Sequence, residues 1–340
     1  MSQSDKSQIH MKCLVTGAAG FIGSHLCERL IADGHVVRAV DDLSTGNSQN
    51  LLSVWDSPNF DFYATDILAQ AFTHYTPQVD WIFHLAAKAD IVPSIKNPAL
   101  YHRVNVEGTL RALEVAQKVK AKKFIYAASS SCYGIPDEYP TDESAACRPE
   151  YPYALTKYVG EQYVMHWAKV YGVPAISLRL FNVFGPRART SGAYGAVFGV
   201  FLAQLAHGRP LTIVGDGTQS RDFTYVTDVV DAFVKAAESS STHEIFNVGT
   251  GHPRTVLEVA TGLGATRFEY IPKRPGEPDK TWADPRKIKS QFGWRPKVSF
   301  EEALEIMRRM IPEFTTAPLW TRATIEEATK DWFKYLGGGQ

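Results

Sequence analysis

Cysteine is scarce. The 340 residues include four, Cys13, Cys27, Cys132 and Cys147. Their spacing fits neither a metal knuckle nor a disulfide framework, and the histidines are scattered without metal-ligand spacing. No metal is therefore expected, and a reducing, cytoplasmic compartment fits best. Net charge is missing too: Lys plus Arg and Asp plus Glu both total 36, so the chain has no basic footprint for nucleic acid. No run reaches the roughly 18 apolar residues of a membrane span. Residues Met1 to His10 are polar and lack an apolar signal core. They read as a disordered leader, with the folded part beginning at Met11. There is no internal repeat and no low-complexity segment. What is present is apolar material, 44% of the chain, enough for a large core in one large domain or two ordinary ones.

The most informative stretch is Val15-Thr16-Gly17-Ala18-Ala19-Gly20-Phe21-Ile22-Gly23. It follows an apolar run, Met11 to Val15, that reads as a buried parallel strand. It opens a helical pattern in Phe21, Ile22, Leu26, Leu30 and Ile31. Strand, glycine turn and helix form the context in which such a motif means dinucleotide binding. Gly17, Gly20 and Gly23 permit a tight turn and close approach to a pyrophosphate, which the start of the helix at Phe21 and Ile22 then receives. Asp41 ends a second apolar strand, Val36 to Val40. An acid at that point suits the ribose hydroxyls of NAD and would repel a 2′-phosphate. A glycine turn and a strand-capping Asp would look the same one at a time; together they point to NAD.

Further strands are expected at Asn59 to Tyr63, Trp81 to His84, Lys123 to Tyr126 and Ala175 to Leu180. Helices are expected near Leu100 to Val119 and Tyr153 to Tyr171, the latter stopped by Gly172 and Pro174. This alternation predicts an α/β fold with a doubly wound parallel sheet, binding at the carboxyl ends of its strands. Beyond Leu180 the texture changes. Pro186 to Ala196 reads as a long loop, Phe198 to His207 as a helix, and Leu211 to Val214 as a short strand. Glu244 to Val248 reads as a strand that returns to the first sheet. Phe268 to Ile271, Asp284 to Phe292 and Phe300 to Met310 form a smaller mixed unit. The resulting division is a Rossmann domain over 11–180, joined by 244–248, and a mainly substrate-binding α/β domain with a tail over 181–340. In that tail a helix within Thr321 to Leu336 offers Trp332, Phe333 and Leu336 for docking, and the terminal glycines are expected to fray.

Tyr153 and Lys157 stand four residues apart on a helix, so they share one face. Lys157 can then stabilise a Tyr153 phenolate, lowering its pKa and making it a proton acceptor for a sugar hydroxyl. On spacing alone, a solvated helix pair is the better reading. Ser129-Ser130-Ser131 follows a strand and reads either as a polar turn or as hydroxyls for a reacting oxygen. Cys132 reads as a packing residue, and His84 as a core histidine.

Taken together these pieces resemble the extended short-chain dehydrogenase/reductase family, and within it the nucleotide-sugar 4-epimerases of the UDP-glucose type. The resemblance covers about Met11 to Met310. It is carried by the glycine turn, His84-Leu85-Ala86-Ala87, Asn105, the serine run, Tyr153 with Lys157, Arg179 to Pro186, and Ser220-Arg221-Asp222-Phe223. It implies that Tyr153 is the base and acid, that Lys157 binds the nicotinamide ribose, and that Ser129 is the catalytic hydroxyl, with Ser130 and Ser131 assisting. Asp66 and Ile67 would meet the adenine; Leu85, Ala86, Ala87 and Asn105 would line the cofactor path. Asn182, Arg221 and Arg274 would hold the substrate diphosphate, Val197 would lie against the nucleotide, and Glu277 would take its ribose.

The implied reaction is NAD-dependent inversion at C4 of a UDP-hexose or UDP-N-acetylhexosamine through a 4-keto sugar. The family also implies a homodimer built on the two long helices. The alternative is a nucleotide-sugar dehydratase of the same fold. Dehydratases resemble Thr-Asp-Glu where this chain has Ser129-Ser130-Ser131, and that departure speaks against water elimination. Thr281 is small where epimerases that exclude acetamido sugars are bulky, which implies that such sugars are accepted.

Overall fold

The computed structural model describes residues 10–76, 78–188 and 197–337. Residues 1–9 of the expected leader Met1 to His10, most of the expected loop at 186–196 and the last three residues lie outside the described residues. The chain begins with alternating strands and helices. The strands are β1 (Lys12–Thr16), β2 (Val36–Asp41), β3 (Phe60–Ala64), β4 (Trp81–His84), β5 (Lys123–Ser129) and β6 (Ala175–Leu180). With Glu244–Val248 they form one seven-stranded sheet in the order Glu244–Val248, β6, β5, β4, β1, β2, β3. Every pairing is parallel. The late strand thus returns to the first sheet as expected, aligning Phe246 with Leu178.

The sheet is apolar on both faces because successive side chains point to opposite sides. Val15, Phe83, Ile125, Ile176 and Leu178 join the core under the helices Phe21–Ala32 and Val226–Glu238. Their neighbours Leu14, Ile82, Phe124 and Tyr126 join the opposite core, with Leu113 of the helix Gly108–Val119 and Val164 of Pro152–Tyr171. Each such aliphatic or aromatic side chain, removed from water, contributes about 1.5–3 kcal/mol. A layer buried on both sides therefore holds β1, the strand that feeds the glycine turn, rigidly.

The expected helix over 100–119 is continuous in direction but not in winding. Pro98–His102 leads into a wider π turn, Arg103–Glu107, and then into Gly108–Val119. That turn carries Asn105, only 1% exposed, into the interior. A second core gathers Phe184, Phe198, Phe201, Ile213, Phe223, Met307 and Ile325. Around it lie two-stranded pairings, Leu211–Val214 with Phe268–Ile271 and Asn182–Phe184 with Phe223–Tyr225, both parallel. The tail forms the helix Arg322–Leu336, opened by a capping box between Thr321 and Thr324. Of its three expected docking residues, Trp332 is buried and Leu336 half-buried, while Phe333 is exposed.

Candidate active site

β1 ends at Thr16, and the chain turns at Gly17 with φ +70°. A Cβ there would stand 2.8 Å from the Ala86 nitrogen and the Leu85 carbonyl carbon. At Gly23 a Cβ would stand 2.1 Å from the Gly17 oxygen. Only glycine permits this close approach of turn, helix and the strand β4 exit. No side chain caps the helix that begins at Phe21, so its first-turn N–H groups are available to an anion.

Asp41 lies at the end of β2, 7% exposed. Its Oδ2 accepts the Ala19 N–H at 3.0 Å and its Oδ1 accepts the Leu43 N–H at 2.8 Å. Burial pushes its carboxyl up, and the two backbone donors oppose that. The same cleft is lined by Gly17, Gly20, Asp41, Asp66, Ile67, Leu85, Ala86 and Ala87. A glycine cradle that a Cβ would fill, an uncapped helix start and an acid at the second strand end form a donor set that fits a dinucleotide.

Asn105 is expected on the cofactor path, and its side chain reaches that path indirectly. Its Oδ1 accepts the Lys88 N–H at 2.8 Å, while its Nδ2 donates to the Lys88 carbonyl at 3.0 Å and to Thr156 Oγ1 at 2.9 Å. Its amide is thus engaged by protein groups. It ties the loop after β4, one wall of the cleft, to the helix that carries Tyr153.

Tyr153 stands in the first turn of Pro152–Tyr171, which starts on a proline and stops at Gly172 with φ +70°. Ser129 ends β5, and its hydroxyl lies 2.8 Å from that of Ser131. Burial pushes the Tyr153 phenol up, and the hydrogen bond from Ser129 opposes it. Lys157 is 4% exposed, with its ammonium 4.2 Å from the centre of the Tyr126 ring. Burial drives it down to about 7, against the pull of Glu161.

Where the spacing expects Lys157 to lower the phenol, burial moves the two groups apart, the Tyr153 phenol up and the Lys157 ammonium down. Both groups have lost water, which favours the neutral form of each. His84 is a core histidine, as expected. It is bridged by Thr16 Oγ1 at 2.8 Å and Thr109 Oγ1 at 3.1 Å, and is held down to about 3 by burial and by Lys157. Cys132 is buried, its sulfur 3.8 Å from that of Cys147.

The expected substrate residues form a second cluster. Glu277 stands between two guanidiniums, 2.9 Å from Arg221 and 2.8 Å from Arg274. The arginines hold its carboxyl below the usual range in spite of burial. Two cations against one carboxylate leave an excess positive charge for an anion. Asn182 Oδ1 accepts the Thr281 hydroxyl at 2.9 Å, and Thr281 Oγ1 accepts the Asp222 N–H at 3.1 Å. The Thr281 hydroxyl thus links Asn182 to the backbone of Asp222. Val197 begins the helix Val197–Ala206 and packs on the second core.

Sequence reasoning missed four residues that organise the site. Asp222, fully buried, accepts from the N–H groups of Thr250, Gly251 and Ala283 at 2.7–3.0 Å. It locks the segment next to Arg221. Lys88 and Thr156 are the partners of Asn105. Tyr151 stacks on Tyr153, ring centres 6.5 Å apart and 8° between planes. Only Asp222 carried a signal, its place in the Ser-Arg-Asp-Phe run.

Residues 13–249 match the model of the NAD dependent epimerase/dehydratase family. A UDP-glucose 4-epimerase of Mycolicibacterium smegmatis is 38% identical over 304 residues, 86% of this chain and 96% of that protein. The UDP-glucose 4-epimerase of Thermotoga maritima, solved with UDP-glucose, superposes with a TM-score of 0.83 at 36% identity, over 89% of this chain and 99% of that one. The UDP-N-acetylglucosamine 4-epimerase of Methanobrevibacter ruminantium, solved with UDP-N-acetylmuramic acid, gives 0.84 at 32% identity, over 88% and 97%.

Proposed function

The chain belongs to the NAD dependent epimerase/dehydratase family, and from that premise we propose that it inverts C4 of a UDP-hexose or UDP-N-acetylhexosamine through a 4-keto intermediate. The observation that carries this reading is the pairing of the Tyr153 phenol with Ser129 at the carboxyl edge of the sheet, on a chain that also holds the Asp41 cleft and the Arg221–Glu277–Arg274 cluster. NAD, when bound along the glycine turn and Asp41, supplies reversible hydride transfer at C4.

The chain's own groups do the rest. Arg221 and Arg274, with Asn182, hold the diphosphate, and Glu277 takes the nucleotide ribose. The diphosphate stays in place while the ring turns between the two half-reactions. Tyr153 takes the proton of the 4-hydroxyl and later returns it to the opposite epimer, with Ser129 hydrogen-bonded to its oxygen. Lys157 holds the nicotinamide ribose and, once charged, favours the phenolate. Water elimination would need a further acid/base pair. Ser130 and Ser131 stand where the resemblance puts Asp and Glu in dehydratases, and they supply none.

The long helices support a homodimer. Leu155, Tyr163, Val170 and Tyr171 are exposed along Pro152–Tyr171, an apolar stripe of the kind that marks an interface. Light scattering of wild type and Leu155→Glu tests it: a dimer that the charge dissociates is expected, and a wild-type monomer at micromolar concentration refutes it. No described helix is long and apolar enough to cross a membrane. The four free cysteines suit a reducing compartment, and we place the enzyme in the cytoplasm.

The decisive experiment is incubation with UDP-glucose and with UDP-N-acetylglucosamine, followed by separation and mass analysis. A new species of unchanged mass is expected. A product lighter by one water would replace this reading with the dehydratase.

A further inference from the structure

The tail helix lies at the site rather than away from it. Trp332, 2% exposed, donates its indole N–H to the Pro275 carbonyl at 2.6 Å. Pro275 lies directly between Arg274 and Glu277 in the chain, inside the turn that supplies both. The Arg274 guanidinium sits 5.3 Å from the centre of the Trp332 ring, a cation–π contact. On another side, Trp332 meets the Tyr151 ring at 5.9 Å between centres.

Tyr151 in turn stacks on Tyr153. Burial, with Tyr153 and Glu277 nearby, pushes the Tyr151 phenol up, and Ser131 and Arg221 oppose the shift. One indole therefore touches both the tyrosine stacked on the candidate base and the turn that carries Arg274 and Glu277. The helix is held there at other points. Asp331 pairs with Lys96 at 4.0 Å, on the helix Ile91–Lys96 that follows the cleft loop. Just before the helix, the Trp320 carbonyl accepts from the buried Gln204 amide at 2.7 Å.

We propose that the C-terminal helix Arg322–Leu336 is a working part of the substrate site, with Trp332 positioning Tyr151 and the Arg274–Glu277 turn to receive the nucleotide sugar. Tyr151 is the residue of this pair that faces the sugar. Trp332 acts through it and through Pro275, so it is a positioning residue. The inference rests on the nucleotide-sugar reading of the site. A helix whose role was only to cover the second core would need no aromatic contact with the strand–helix connection of the catalytic tyrosine. It would also need no polar bond into the arginine turn.

The experiment uses the full chain loaded with NAD. Trp332→Ala removes ring and N–H together; Trp332→Phe keeps a ring against Tyr151 and Arg274 and removes only the bond to Pro275. Phe333→Ala, an exposed neighbour on the same helix, is the control. Steady-state kinetics with the UDP-sugar, UDP affinity by calorimetry, NAD content and thermal midpoint are read for each. Trp332→Ala is expected to raise KM and weaken UDP binding at least about tenfold, with kcat within about threefold and NAD content unchanged. Trp332→Phe is expected to fall between, with KM up about threefold, and Phe333→Ala to match wild type.

Unchanged KM and UDP affinity in both Trp332 variants overturn the proposal. So does a loss of kcat, NAD and thermal midpoint together in Trp332→Phe, which marks a merely structural residue. If Trp332→Ala does not fold, Trp332→Phe decides, and a wild-type KM there is a refutation. A wild-type enzyme that binds no UDP refutes the nucleotide-sugar reading and this inference with it. A wild type that binds UDP while the variants bind equally well refutes the inference alone.

Discussion

The side-chain amide of Asn105 grips the backbone of Lys88 from both sides, accepting its N–H at 2.8 Å and donating to its carbonyl at 3.0 Å. A third bond, to Thr156 Oγ1 at 2.9 Å, ties the same amide to the helix of Tyr153. The loop that walls the dinucleotide cleft and the helix that carries the candidate base are therefore joined by one buried side chain.

Asn105→Ala strands the Lys88 backbone groups and the Thr156 hydroxyl. A stability loss of about 1–3 kcal/mol is expected, the cost of polar groups left unpaired in the interior. Because the loop also lines the cleft, NAD content after purification should fall. Urea denaturation together with absorbance or mass measurement of bound NAD checks both; intact NAD content would show that the loop does not depend on this amide.

Tyr153→Phe removes the proton acceptor and leaves the ring in place. Turnover of the UDP-sugar is expected to fall by about 10²–10⁴-fold, the usual worth of a positioned acid/base group. NAD content should stay near that of wild type. Near-normal turnover in this variant would mean that another group moves the proton.

Glu161 and Arg179 form an ion pair at 2.6 Å with side chains 1% and 4% exposed, and Ser177 donates to the same carboxylate at 2.8 Å. Removing one member leaves a buried charge uncompensated. Glu161→Ala is expected to cost about 3–5 kcal/mol, read as a drop in the urea midpoint. The variant should also bring Lys157 lower still, since Glu161 is the charge that opposes its desolvation.

Lys157 gives a pH signature. Folding lowers it to about 7, well below an ordinary lysine. Between that value and its unfolded value, the unfolded chain binds more protons than the folded one. Its burial cost is therefore greatest below pH 7 and is relieved as pH rises towards 10. In the nucleotide-stripped protein, the thermal midpoint of Lys157→Met should climb less between pH 7 and 9 than that of wild type. Equal slopes would show that Lys157 keeps its proton throughout this range.

The order of strands, the glycine turn, Asp41 and the long helices are properties of near neighbours in the chain, set by periodicity and by local steric needs. They were legible because apolar runs such as Trp81–His84 admit few foldings and because a Cβ at Gly17 has no room. The helix Val226–Glu238, which covers one face of the sheet, went unread: two of its polar positions, Asp228 and Asp231, are buried by distant partners, the Lys297 and Val298 N–H groups and Arg29. The sequence by itself thus determined the parallel sheet, the dinucleotide turn and the candidate reacting side chains. Only tertiary structure decided that burial acts on both Tyr153 and Lys157, that the Asn105 amide ties Lys88 to Thr156, and that Trp332 reaches Tyr151 across 181 positions of chain. Solvent exclusion and long-range side-chain contact depend on how distant segments pack, and no spacing along the chain encodes them.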